Sequence, residues 1–191
     1  MHAMKTKNDM PPAKVSDAKT RILLTAHDLF YQNGIRATGV DRLIKESGVT
    51  KVTFYRHYPS KNDLILAFLH YRHDKWMAWF SQALEQKNNQ IERLTDVLSE
   101  WFSDSDYRGC AFINSVGEIG SELPEVSKIS LKHKEDMTNL IAASLLKSGQ
   151  PEILSEAISL AIDGAITRVQ SGQPVKKVLE TLQLILEKLL K

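Results

Sequence analysis

The sequence predicts an all-α protein of about nine helices, with an N-terminal three-helix helix-turn-helix domain attached to a larger helical body. Three observations lead there. Apolar residues recur at helical spacing along most of the chain, Gly or Pro punctuates the periodic segments, and residues 40–61 (VDRLIKESGVTKVTFYRHYPSK) read as two short helices around a tight turn. The domains expected are an arm over 1–15, a helix-turn-helix domain over 16–60, and a body over 61–191.

Residues 1–15 carry Lys5, Lys7, Lys14 and the pair Pro11-Pro12 with few apolar residues, the composition of an unstructured basic tail. Ser16 or Asp17 then caps a helix whose stripe is Ile22, Leu23, Ala26, Leu29 and Phe30, and Gly34 stops it. This helix is expected to pack Ala26 and Phe30 against Leu43, Ile44 and Phe54. Val40, Leu43 and Ile44 keep helical spacing until Ser47-Gly48-Val49 breaks it. Thr50 is the N-cap of the next helix, which holds Phe54 and Tyr58 four residues apart.

Pro59 cannot extend that helix, and Ser60 to Asp63 has capping-box spacing with Asp in place of Glu. The helix it opens runs without a breaker to about Gln86, a span of about 38 Å at 1.5 Å per residue. After a Lys87-Asn88-Asn89 loop, a helix covers Gln90 to Ser103. A short one opens in Gly109–Asn114 and stops near Gly117 to Gly120. Others run from Pro124 to a stop at Gly149, from Pro151 to Gln170, and, past Gly172-Gln173-Pro174, from Val175 to Leu190.

The bulk numbers narrow the function. A single Cys rules out an internal disulfide framework, no Cys/His cluster has zinc spacing, and no apolar run is long enough to span a bilayer. A cytoplasmic protein with no membrane association is expected. Neither a nucleophile–base pair nor a metal constellation stands out, so the expectation is a non-enzyme with no cofactor and no metal. Residues 1–63 hold 11 Lys and Arg against 6 Asp and Glu, whereas the remainder holds 14 against 17. A basic head on a mildly acidic body suits an anionic polymer at one end.

The helical bracket says which polymer. With Phe54 and Tyr58 turned inward, Lys51, Thr53, Tyr55, Arg56 and His57 point away. They supply cations and hydrogen-bond donors for phosphate oxygens and a guanidinium able to fork onto guanine, the set a helix needs in the major groove of double-stranded DNA.

GVTKVTFYRHYPSKNDL resembles the DNA-binding signature of the tetracycline-repressor (TetR) family, and the likeness extends upstream through ILLTAHDLFYQNGIRATGVDRLIKESGV, about residues 17 to 70 in all. The resemblance implies operator contacts from Thr50, Lys51, Thr53, Tyr55, His57 and Lys61, with Thr38 at the start of the second helix. Two positions depart from the family's usual residues: Val52 stands where Gly or Pro is common, and Arg56 where an aromatic is. Val52 suits a thymine methyl and Arg56 a guanine or a phosphate, so operator preference does not transfer.

The resemblance also implies a body that binds a small-molecule effector. Its candidate lining is Trp76, Trp79, Phe80, Trp101, Phe102, Tyr107, Cys110, Phe112, Asn114 and Met137, because aromatic walls with a few polar groups are what ligand pockets use. The same residues also suit a plain core. The last two helices are apolar on more than one face, which predicts a homodimer through Ile158, Ile162, Ile166, Val178, Leu182, Ile185 and Leu189. Two copies on a two-fold axis would read an inverted-repeat operator. The function expected is a repressor released from its operator by a ligand; the alternatives are an effector-independent regulator, a redox-sensing one using Cys110, or an activator of the same fold.

Overall fold

A computed structural model describes residues 17–191, and the N-terminal arm lies outside the described residues. These residues form nine α-helices: α1 (Ala18–Asn33), α2 (Val40–Ser47), α3 (Lys51–His57), α4 (Lys61–Gln86), α5 (Leu94–Phe102), α6 (Ala111–Ile119), α7 (Pro124–Lys147), α8 (Ser155–Gln170) and α9 (Val175–Leu189). Single 3₁₀ turns, Ile91–Arg93 and Glu152–Leu154, lead into α5 and α8. No strand occurs among the described residues.

The chain divides into two compact units. The head unit comprises residues 17–74 and 111–130, and the body unit comprises 75–110 and 131–191. The head is therefore discontinuous in sequence, and α4 and α7 each contribute residues to both units.

In the head, Asp17 caps α1 by accepting the backbone N–H of Thr20 at 2.8 Å, and that bond holds its carboxyl below the usual carboxylate range. The helix packs against both α2 and α3. Ile22, Ala26, Leu29, Phe30, Leu43 and Phe54 are buried, as expected, whereas Leu23 of the stripe and Ile44 are only half-buried. The turn between α2 and α3 depends on Gly48, whose left-handed backbone (φ 64°, ψ 37°) lets its N–H reach the carbonyls of Ile44 and Lys45. An alanine has no other way to close the same turn. Gly48→Ala is expected to destabilise the head by about 1–2 kcal/mol, measured as a lowered melting temperature with the helix content of the native state unchanged.

The capping box at the start of α4 is closed in both directions: Asp63 accepts from the backbone N–H of Ser60 at 2.9 Å, and the Ser60 hydroxyl accepts from the backbone N–H of Asp63 at 3.1 Å. With Pro59 preceding it, this fixes where α3 ends and α4 begins.

The body core is built from Trp76, Phe80 and Leu84 of α4, Leu94, Leu98 and Trp101 of α5, Met137, Ile141 and Leu145 of α7, Ile158, Ile162 and Ile166 of α8, and Val178, Leu182 and Leu186 of α9, all buried. Helix α9 packs on both α5 and α8. Asn88 and Asn89, both in the left-handed region (φ 57° and 53°), turn the chain out of α4, and the hydroxyls of Ser144 and Ser148 donate to the Asn89 carbonyl at 2.9 and 2.7 Å. Asn tolerates this conformation better than most residues.

Candidate nucleic-acid interface and effector site

Helix α3 is short and stiffly capped. The Thr50 side chain accepts from the backbone N–H of Thr53 at 3.2 Å, and the two hydroxyls lie 2.9 Å apart. Phe54 is fully buried, and Tyr58 is 3% exposed with its hydroxyl 3.5 Å from the Lys19 carbonyl. Burial, with Asp17 nearby, raises the Tyr58 pKa. These two rings anchor α3 and so fix its outward face. Lys51, Val52, Tyr55 and Arg56 are exposed, Val52 at 77%, while Thr53 and His57 are half-buried. Thr50 is exposed at the helix start. The outward face of α3 thus carries two cations, a phenol, hydroxyls and one apolar side chain.

Two expected contacts face elsewhere. Thr38 is fully buried, its hydroxyl donating to the Gly34 carbonyl at 2.8 Å and its N–H to the Ile35 carbonyl at 3.3 Å. It locks the loop before α2 rather than offering its hydroxyl to a phosphate. Lys61 is half-buried, its ammonium donating to the Ile35 carbonyl at 2.6 Å and lying 5.9 Å from the Phe30 ring centroid. Burial lowers its pKa and Glu118 opposes that shift. It ties the same loop to α4.

That loop has a further tether which the sequence does not reveal. Arg36 donates its backbone N–H to the Glu118 carboxylate at 3.0 Å and its Nε to the Glu118 carbonyl at 2.6 Å, and its guanidinium pairs with Glu122. At Gly34 (φ 87°) a Cβ would come within 3.1 Å of the Glu118 carboxylate. Partners 82 residues apart leave no local signal. The loop that positions α2 and α3 is thereby bonded to the end of α6.

In the body unit, eight of the ten candidate effector residues occur together: Trp76, Trp79, Phe80, Trp101, Phe102, Tyr107, Cys110 and Met137. Phe112, buried, and Asn114, half-buried, are on α6 in the head unit. The rings of the body form one cluster. Trp76 lies 4.7 Å from Phe80, 5.8 Å from Trp79, 5.7 Å from Trp101 and 5.1 Å from His133, and Tyr107 lies 5.3 Å from Trp101 and 5.4 Å from Phe102. The Tyr107 hydroxyl donates to the Ile166 carbonyl at 3.0 Å. The indole N–H groups of Trp76 and Trp101 are buried with no hydrogen-bond partner. Each such donor costs about 1–3 kcal/mol. Cys110 is buried.

The residues expected at a dimer face need correcting. Ile158, Ile162, Ile166, Val178 and Leu182 are 0–3% exposed within a single chain, so they form its own core and are not free to meet a second copy. Ile185 is 39% exposed and Leu189 half-buried. The large apolar side chains that α8 and α9 do expose are Leu160 (77%), Leu184 (56%) and Ile185, the last of which lines a depression of about 290 Å³ together with Ala161, Gly164, Ala165 and Thr181 among others. Among the described residues no helix is long and apolar enough to cross a membrane, and no group of three His, Cys, Asp or Glu could hold a metal.

A capped helix-turn-helix with a cationic, hydroxyl-bearing outer face on an all-helical chain defines a DNA-binding transcriptional regulator. Residues 22–68 match the model of the bacterial regulatory proteins of the tetR family. Over these residues the chain resembles that family's DNA-binding part. It is 24% identical over 155 residues to the uncharacterized HTH-type transcriptional regulator YxaF of Bacillus subtilis, covering 78% of this chain and 81% of the relative. It is 29% identical over 86 residues to the HTH-type transcriptional activator FasR of Mycolicibacterium smegmatis, covering 45% of this chain and 39% of FasR. The crystal structure of SCO4454, a TetR-family transcriptional regulator from Streptomyces coelicolor, superposes with a TM-score of 0.80 at 28% identity over 91% of this chain and 94% of that one.

Proposed function

We propose that the protein is a cytoplasmic, dimeric repressor that grips an inverted-repeat operator through α3 and lets go when a small molecule enters the aromatic cluster of the body. The observation that carries the DNA half of this reading is the outer face of α3, where Lys51, Tyr55 and Arg56 are exposed on a helix anchored by Phe54 and Tyr58. Lys51 serves phosphates, Arg56 forks onto a guanine or clamps a phosphate, Tyr55 and Thr50 donate to phosphate oxygens, and Val52 meets a thymine methyl. The effector half rests on the ring cluster and its two unpartnered indole donors. The dimer rests on Leu160, Leu184 and Ile185, exposed on adjacent helices.

The switch proposed is a shift between two poses of α4 that change the spacing of the two heads. A hundredfold loss of operator affinity requires the ligand to discriminate between the poses by about 2.8 kcal/mol. The Arg36 tether to α6 makes the reading loop part of what must move.

Selection of bound duplexes from a random library, followed by gel shift, tests the reading: inverted repeats are expected, bound by a species of twice the chain mass. Recovery of unrelated sequences, or binding by single chains, would overturn it. An activator of the same fold is the second reading, favoured by the likeness to FasR, which is named as one. Placing the selected site upstream of a reporter separates the two by the sign of the change.

A further inference from the structure

We propose that the effector is a planar aromatic compound carrying a carbonyl-type oxygen, received by the indole N–H groups of Trp76 and Trp101, rather than an aromatic cation. This rests on the body's ring cluster being the effector site.

Trp76 is 3% exposed and Trp101 2% exposed, their rings 5.7 Å apart, and neither N–H reaches an acceptor. Indole nitrogen only donates, and a buried Trp usually finds a partner for it. An N–H directed at a neighbouring ring regains only part of a hydrogen bond. Two orphaned donors in one cluster therefore ask for an acceptor.

The rings around them ask for a flat body. Phe80 lies against Trp76 at 4.7 Å with 30° between the planes, and Trp79, half-buried at the margin, meets both Trp76 and Trp101 at 5.8 and 6.1 Å. Trp79 is the ring that an entering compound would stack on or displace. Tyr107 cannot compete for the acceptor, since its hydroxyl already donates to Ile166.

Charge selects against a cation. The rings that meet in the cluster belong to Trp, Phe, Tyr and His side chains. Near it in sequence on α7, Lys134 is ion-paired with Asp163. Aromatic faces attract cations, but the indole edges that lack partners present positive hydrogen to whatever approaches them.

The chain's only tryptophans, Trp76, Trp79 and Trp101, all belong to this cluster, so intrinsic fluorescence reports on it directly. Three probes share one ring system: 2-acetylnaphthalene, 2-ethylnaphthalene and (2-naphthylmethyl)trimethylammonium. Titrated into the full-length protein by calorimetry and fluorescence, the ketone is expected to bind at least tenfold more tightly than the other two, about 1.4 kcal/mol. Trp76→Phe and Trp101→Phe keep a ring but remove the N–H, and each is expected to shrink that gap to about threefold or less. Equal binding of ketone and hydrocarbon, or preference for the ammonium, overturns the acceptor inference while leaving the cluster a binding site. If none of the three binds, the effector-site reading itself falls. Should either variant lose its cooperative melt, the comparison of probes on the unaltered protein decides.

Discussion

Replacing Lys51 and Arg56 together by Ala is expected to weaken binding to the selected operator by roughly 30-fold to well over 10³-fold, because a base-reading Arg is worth about 1–3 kcal/mol and a two-fold dimer loses it twice. Both side chains are exposed at the reading face and lie outside the head core, so the fold should survive. The two losses separate by salt. If Lys51 neutralises a phosphate, the slope of log affinity against log salt concentration falls by about 0.9 for each copy lost, or about two in the dimer. If Arg56 reads guanine, the Arg56→Ala single variant relaxes sequence preference with a smaller change in slope. Anisotropy titrations from low to moderate salt measure both; unaltered affinity and slope in a variant with unaltered circular dichroism would remove α3 from the interface.

Phe54→Ala is expected to cost about 3–5 kcal/mol, the usual penalty for hollowing out a buried aromatic position. Phe54 is fully buried in the head, where α1 packs on both α2 and α3, and it is one of the two buried rings of α3 and its C-cap. A core as small as the head's has little to spare. Denaturant titration should show an early transition belonging to the head, and DNA binding should vanish even where the body remains helical. A cost under about 1 kcal/mol would mean that neighbouring side chains fill the space.

The helix-turn-helix was legible because its signals are local. Phe54 and Tyr58 at four-residue spacing, Gly48 at a left-handed turn, Thr50 as a cap and the Ser60–Asp63 box each act within a few residues of one another. The end of α4 at Gln86 was equally readable, since only the breakers bounding a periodic stretch decide it. What spacing does not carry is the identity of the covering surface. Ile158, Ile162 and Val178 announce an apolar face, but only the packed helices show that the chain covers it itself and leaves Leu160 and Leu184 outside. Thr38 and Lys61 sit where a motif invites a phosphate, yet nearby carbonyls claim the Thr38 hydroxyl and the Lys61 ammonium first. The Arg36 tether is invisible for the same reason: Glu118 at the end of α6 and Glu122 in the turn after it lie far along the chain, where periodicity cannot place them against Arg36.

The head draws residues 111–130 from far along the chain. No single cut can therefore release it whole. A fragment ending at residue 74 would leave Gly34 and Arg36 without the carboxylates they are fitted to. Anyone grafting this reading head onto a foreign sensor would have to transplant both pieces, or rebuild the acidic helix end in the recipient.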